Sequence, residues 1–362
     1  MKSTRISIAS FVISLWVILT GCSGPKTENA NSYLPVARGE EGVILAVMDS
    51  AKWHGALGQS LKNTFVDVIP GLPQDEPYFT VRQINPLRLN NILKTAKNML
   101  FVTTLDDYSD QSRAMRKYIT DESLRKIDRD TSLYMFINSD QFAKGQEILH
   151  LFGKSDDLLI DKIEKNKMRL RNHFLRIEKE RISKAIYGNE EKNMQKVLID
   201  DHKFSLRIPY GYDLAKNLKN LVWIRFLNAE FEKNILVHYV PFTSQEAFED
   251  PLDYREKITS TYLRDVEKPE IYMTLQDFPT DQQEVNFNGK YAMETRGLWK
   301  LSDISSGGPF VSYIFVDESQ KRIYYLEGYV YAPSRDKRAF MREMEVILST
   351  FKSGDQLLPD TR

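Results

Sequence analysis

Near residue 190 the order in which strands and helices follow one another changes, and this change constrains the fold more than any motif. Before it, apolar runs alternate with helical stripes. Val43 to Met48 is an unbroken apolar run suited to a strand covered on both faces. Asp49 or Ser50 then caps a helix carrying Trp53, Leu57, Leu61 and Phe65 at four-residue spacing. The four punctuating residues Pro70, Gly71, Pro73 and Pro77 make Ile69 to Pro77 an irregular loop. Strands are expected at Tyr78 to Ile84, Met99 to Thr104 and Leu133 to Asn138, with helices at Leu87 to Lys97 and Ser109 to Ile127. A long helix runs from a Ser155 cap to about Tyr187 and stops at Gly188. After it, strands succeed one another over short turns: Lys203 to Ile208, Leu221 to Asn228, Ile235 to Val240, Glu284 to Arg296, Phe310 to Asp317 and Ile323 to Tyr331. Helices are expected only at Asp253 to Val266 and Arg335 to Phe351. The pattern reads as an α+β protein: an N-terminal α/β unit over residues 41–153, a helical connector over 154–192, and a mostly antiparallel C-terminal sheet over 193–362 with helices on one face.

The first residues specify a destination. Lys2 and Arg5 precede a mostly apolar stretch from Ile6 to Leu19, interrupted by Ser7, Ser10 and Ser14 and too short for a confident membrane span. It ends in Leu19-Thr20-Gly21-Cys22, which resembles a bacterial lipobox, and Cys22 is the only cysteine of the chain. Residues 1–21 are therefore expected to be a cleaved signal peptide. Cys22 would carry a diacylglycerol on its thiol and an acyl chain such as palmitate on its amine, and two or three chains make a stable bilayer anchor. Ser23, in place of an aspartate, favours the outer membrane, with the fold on the periplasmic side. Residues 22–40 are expected to be a tether, since Ser23 to Gly39 is rich in Ser, Gly, Pro, Asn and Lys.

Composition excludes several classes of function. The 50 Lys and Arg balance 50 Asp and Glu, and loss of Lys2 and Arg5 with the leader leaves 48 against 50. Nucleic acid is therefore not an expected partner. One cysteine excludes a disulfide framework and a multi-cysteine zinc site. His54, His150, His173, His202 and His238 have no metal-ligand spacing and read as surface or half-buried residues, so no metal or cofactor is expected. Nucleophile-elbow, phosphate-loop and zincin motifs are missing, and Cys22 is consumed by lipidation. Between Asp161 and Lys184 nine Lys or Arg stand against four Asp or Glu. They are interleaved with Glu164, Glu178 and Glu180, as on a solvated helix docked by an apolar seam of Ile160, Ile163, Leu170, Phe174 and Ile177.

The candidate binding residues are Trp223, Arg225, Arg296, Trp299, Glu327 and Tyr329, all on or beside strands of the C-terminal sheet. Indole and phenol rings offer flat apolar area, and a guanidinium offers a fork for a carboxylate. The competing reading pairs Arg225 or Arg296 with Glu327 inside the sheet and leaves the glycines to turns and bulges. Three functions compete accordingly: a non-enzymatic factor binding an envelope protein or glycan, a hydrolase of an envelope polymer, and a purely structural spacer within an outer-membrane assembly. A deep cleft with two carboxylates would favour the second.

The element order of the last 170 residues is similar to that of PsbP and Mog1 proteins, an analogy of fold alone. More specifically, five runs resemble a lipoprotein family of Bacteroidota known as the domain of unknown function DUF4837. They are Ile69-Pro70-Gly71-Leu72-Pro73-Gln74-Asp75-Glu76-Pro77, Trp223-Ile224-Arg225, Arg296-Gly297-Leu298-Trp299, Gly307-Gly308-Pro309-Phe310 and Glu327-Gly328-Tyr329-Val330-Tyr331-Ala332-Pro333. The resemblance extends over nearly the whole mature chain. It implies a cell-envelope lipoprotein and no activity, so it supplies no catalytic residue.

Overall fold

A computed structural model describes residues 34–357. The leader, Cys22 and the tether up to Tyr33 lie outside the described residues.

The N-terminal unit is a five-stranded sheet. Its first strand, β1 (Val43–Val47), is followed by α1 (Ser50–His54) and α2 (Ala56–Phe65), then by β2 (Thr80–Ile84) and β3 (Asn98–Thr104). The helices α3 (Asp110–Arg116) and α4 (Asp121–Arg129) lead to β4 (Met135–Ser139) and β5 (Glu147–Gly153). The strand order is β2-β1-β3-β5-β4, parallel except where β4 pairs antiparallel with β5. Every residue of β3 and β5 is buried, as parallel strands covered on both faces should be.

Asp49 caps α1, its carboxylate accepting from the amides of Ala51 and Lys52. The expected long helix is two, α5 (Asp156–Lys165) and α6 (Lys167–Ile186). Asn166 separates them at φ −119°, and its side-chain amide donates to the Lys162 carbonyl at 2.8 Å. This is the local competition for backbone groups that makes asparagine a poor interior helix residue. Leu159, Ile163, Leu170 and Phe174 lay the seam of both helices on the sheet, in one core with Leu57, Leu61 and Phe65. The basic residues of α6 are largely paired: Arg171 with Asp67, Arg176 with Glu180, Arg181 with Glu178 and Lys179 with Glu345.

Other local expectations change. The helix expected at Leu87 to Lys97 is only two 3-10 turns, Pro86–Arg88 and Leu93–Thr95. The span Ser109 to Ile127 holds two helices rather than one. Strand β5 was not foreseen. The tether is also shorter than 22–40, because Val36 and Arg38 already form bridges with Lys144 and Ala96.

After α7 (Lys192–Val197) and a π turn comes β6 (Phe204–Ser205), followed by β7 (Asp213–Leu218), β8 (Leu221–Leu227) and β9 (Glu232–Pro241). An excursion through α8 (Glu246–Glu249), α9 (Pro251–Tyr262) and β10 (Met273–Leu275) precedes β11 (Asp281–Phe287), β12 (Lys290–Leu301), β13 (Gly307–Asp317) and β14 (Arg322–Tyr331). The chain ends in α10 (Arg338–Leu348) and β15 (Lys352–Ser353), which pairs with β6. The large sheet has the order β10-β12-β13-β14-β9-β8-β7, with β11 paired to β12, and is antiparallel throughout. The mixed α+β class thus holds in both halves. One detail differs: α10 packs on one face, with Leu326 and Val330, while α9 packs on the other, with Tyr325 and Tyr329. Strands β13 and β14 are buried almost end to end, so both their faces need cover.

The two halves share a core. Ile69 and Leu72 of the proline-rich loop belong to the same cluster as Val330, Met341 and Met344. Glu76 reaches across to the start of α10, where its carboxylate accepts from the amides of Lys337 (2.6 Å) and Arg338 (2.8 Å). It is a helix cap supplied from 261 residues away. Gly71, at φ +75°, lies so close to β12 that a Cβ would stand 2.9 Å from the Arg296 Cβ and the Gly297 nitrogen.

Candidate functional site

Trp223, Arg225, Trp299 and Tyr329 come together on the α9 face of the large sheet. They line a groove of about 520 Å³, shared with Lys216, Asn234, Arg264 and Tyr331. Strand alternation explains the gathering. Trp223 and Arg225 sit two apart on β8, opposite Leu236 and Asn234 of β9, and Asn234 is in turn opposite Tyr329 of β14. Trp299 and Tyr329 are buried floor residues in edge-to-face contact at 5.5 Å, and the Trp299 Nε1 donates to the Val330 carbonyl. Trp223 stands half-buried at the side. Its Nε1 donates to Asn234 Oδ1 at 3.0 Å, while Lys216 and Arg225 lie 5.6 and 5.8 Å from its ring centre. Arg225 is paired only at 3.3 Å with the exposed Asp213, which leaves much of its fork available. Burial, with the Glu327 and Glu232 charges, pushes the Tyr329 hydroxyl well above its ordinary pKa, so it remains a neutral donor.

Arg296 and Glu327 are not part of this groove. Arg296 is three residues from Trp299 on β12 and therefore points to the opposite face. There its Nη1 donates to Glu345 at 2.8 Å and its Nε to Glu294 at 2.7 Å, while Lys179 of α6 closes on Glu345 at 2.8 Å. Burial alone would raise the Glu345 carboxyl. The adjacent Arg296 and Lys179 charges outweigh it and hold the group at about 2.

Glu327 has no exposed surface. Its partner is neither Arg225 nor Arg296 but Arg255 of α9, at 2.8 Å, with the Tyr325 hydroxyl as a second donor. Arg255 also lies 4.0 Å over the Phe310 ring. Thr295, Ser312 and Glu327 are register partners on three adjacent strands, so the pair sits on a polar row sealed under α9. Arg255 was missed in the sequence, although a signal existed. It falls on the stripe of Pro251, Ile258 and Thr259 that α9 buries, and a lone arginine on an apolar helix face implies a buried acid.

A second polar cluster was also missed. At the carboxyl ends of β1 and β3, Lys52 Nζ donates to Thr104 Oγ1 and Asp156 (both 2.5 Å) and to Asp106 (3.1 Å). Beside it the Ser109 hydroxyl donates to Asp49 and Asp107. Helices following β1 and β3 lie on opposite faces of the sheet, the switch point where open α/β sheets commonly bind ligands. Burial disfavours the Lys52 charge, but Asp156 and Asp106 more than restore it, and the cluster satisfies itself. No group of three His, Cys, Asp or Glu among the described residues is arranged to hold a metal. Of the histidines, His150, His202 and His238 are buried rather than surface residues. Burial pushes His150 and His238 down to about 4.

Fold and groove together define a two-part α+β protein with a shared core and an aromatic, partly basic groove on the sheet of its second part. Residues 190–350 match the model of the domain of unknown function DUF4837. Residues 37–187 match a different model, the domain of unknown function DUF8532. The family resemblance is thus confined to the second half, and the Ile69–Pro77 run falls within the other domain. No curated protein matches the chain. Among solved structures, the Saccharomyces cerevisiae Ran-binding protein Mog1p aligns at 9% identity over 42% of this chain and 91% of its own, with a TM-score of 0.29. A mutant of Mog1 aligns equally well, over 92% of its own length. An uncharacterized protein from Rhizobium leguminosarum aligns at 12% identity over 35% of this chain and 93% of its own, with a TM-score of 0.16. No helix among the described residues is long and apolar enough to cross a membrane.

Proposed function

We propose that the chain is a lipid-anchored protein of the cell envelope, held in the outer membrane through acylated Cys22 and facing the periplasm, whose C-terminal domain binds an envelope protein segment or a glycan. The observation that carries the binding reading is the half-buried Trp223 ring. Asn234 fixes it, and the side chains of Lys216 and Arg225 flank it in a groove floored by Trp299 and Tyr329. A ring held in place offers contact area at small entropic cost, and Arg225 adds recognition of a carboxylate. The ligand that fits is a sugar or peptide presenting a flat apolar face next to an acid group.

The groove is tested by titrating the protein with acidic oligosaccharides such as oligogalacturonate, and with acidic peptides, while following tryptophan fluorescence. Trp223→Ala and Arg225→Ala are expected to weaken binding about tenfold or more while leaving unfolding stability within about 1 kcal/mol, as for residues outside a core. Loss of binding only in proportion to loss of stability would remove the site. Turnover of purified envelope polymer, abolished by Glu327→Gln, would replace binding with hydrolysis. No such role is expected of Glu327, whose carboxylate is sealed from solvent.

The anchor is tested separately. Cys22→Ala should abolish incorporation of labelled palmitate, and should either leave the leader uncleaved or release the mature chain. A Cys22→Ala protein of mature mass retained on salt-washed membranes would refute lipidation.

A further inference from the structure

The N-terminal sheet is unevenly covered. Helices α2, α5 and α6 close one face. On the other, above β1 and β2, there is no helix among the described residues, because the link from β2 to β3 supplies only 3-10 turns. Parallel sheets are normally covered on both faces. Here Val43, Leu45 and Ile84 instead floor an open groove of about 790 Å³. Its rim carries Arg38, Arg82 and Lys97. Ile92, also on the rim, is 80% exposed, and Val36, in the entering chain, is 68% exposed. Arg82 pairs with the exposed Glu40 at 3.1 Å. Arg38 has no acidic partner among the described residues.

The position of this surface matters as much as its composition. Backbone bonds from Ala37 to Lys144 (2.9 Å) and from Arg38 to Thr95 (2.8 Å) pin the incoming chain along the rim. Leu34 lies only twelve positions after Cys22, a reach of about 40 Å even when fully extended. Whatever holds Cys22 therefore lies within about 40 Å of this rim.

We propose that the groove and its rim are the membrane-facing surface of the protein, seating on anionic phospholipid with Ile92 and Val36 entering the interface and Arg38, Arg82 and Lys97 meeting headgroup phosphates. The orientation rests on the anchoring at Cys22 proposed above. The chemistry of the surface does not: protruding aliphatic side chains ringed by arginine and lysine suit a negatively charged interface, where each base near the surface adds to the attraction. An acidic helix of a partner laid along the floor is the competing occupant. The bilayer is favoured because Ile92, 80% exposed, projects from the rim rather than into the groove's floor, beside the positive charges of Arg38, Arg82 and Lys97 that complement anionic headgroups.

The test uses the chain from Ser23 onward, which has neither leader nor thiol, so that failure of the anchor and failure of the surface are read separately. It is sedimented with vesicles of phosphatidylethanolamine and phosphatidylglycerol, and with vesicles of phosphatidylcholine alone. Salt-sensitive binding to the anionic vesicles is expected. Arg38→Glu should weaken it roughly tenfold, since reversal removes one attraction and adds a repulsion. Ile92→Glu should weaken it to a similar degree, and Val266→Glu, at an exposed aliphatic position in the other half, should leave it unchanged. Both rim positions are exposed, so the melting temperature should not move in either variant. Equal partitioning to neutral and anionic vesicles would overturn the proposal, as would binding unaffected by both rim variants. Binding of a synthetic acidic amphipathic helix, lost in the same variants while vesicles are ignored, would give the surface to a partner instead.

Discussion

Arg255→Met is expected to cost roughly 3–5 kcal/mol, the usual effect of removing one partner of a buried ion pair. Arg255 and Glu327 are each at most 1% exposed, and their 2.8 Å bond crosses from α9 to the middle of the large sheet. Without the guanidinium, Glu327 would keep only the Tyr325 hydroxyl as a donor, and a buried charge left without its counter-charge is strongly destabilising. The loss belongs to the stranded acid rather than to the bond. The double variant Arg255→Met/Glu327→Leu should therefore recover most of the stability, because apolar pairs of similar volume often replace buried ion pairs without penalty. Denaturant midpoints of the two single variants and the double variant check this. A single variant within about 1 kcal/mol of the parent, or a double variant no better than the singles, would mean that the pair is hydrated and exchanging with solvent.

The sequence was most legible where one period dominated. Val43 to Val47 forms the strand its apolar run implies, although the face carrying Val43 and Leu45 is only partly covered, and Leu57, Leu61 and Phe65 mark the buried face of α2. It was least legible where a polar residue sits inside an apolar run. Glu147 and His150 disguise β5, yet both are buried, Glu147 beside Ser139 and His173, and His150 stacked on Phe136 at 4.1 Å. Asn166 is one residue in a seam otherwise continuous from Leu159 to Phe174, and its capacity to bond the preceding turn is decided by tertiary packing rather than by propensity. The Leu87 to Lys97 span contains good helix formers, but Pro86 and two asparagines that bond their own following amides hold it in tight turns.

The site divided along similar lines. Trp223, Arg225 and Tyr329 lie with Trp299 along one groove, since the strands that carry them pair through one face. Arg296 lies on the opposite face, as its odd spacing from Trp299 on one strand implies. Glu327 shares the face of Tyr329, and only the excursion from Glu246 to Leu275 shows that α9 covers it. Arg255 and Glu76 are residues whose partners lie 72 and 261 positions away. No local pattern encodes such pairs. What the sequence did offer was an arginine on an apolar stripe and an acid inside a proline-rich loop.

The second large effect is expected at the junction of the halves. Arg296→Ala should destabilise the chain by roughly 3–5 kcal/mol, because it leaves Glu294 and Glu345 facing each other with only Lys179 to compensate. It should also change the acid response. The Glu345 carboxyl is depressed from its ordinary 4.5 to about 2. A depressed acid stabilises the fold fully above its unfolded pKa, and that contribution is lost as the pH falls through the folded value. The parent should therefore lose about 3 kcal/mol between pH 4.5 and 2 from this group alone. In Arg296→Ala the depression is reduced, with Lys179 still acting on Glu345, so stability should be lower at neutral pH yet fall less steeply in acid. Arg296→Lys keeps a charge but only a single point of attachment, and should fall between the two. Urea midpoints at a series of acidic pH values decide the matter. Parallel curves for parent and Arg296→Ala would show that Glu345 is not held by Arg296. Because the network joins α6, β12 and α10, which come from both matched domains, the same curves report whether the halves unfold together. A single transition in the parent that splits into two in Arg296→Ala would mark this junction as what makes the two domains one cooperative unit.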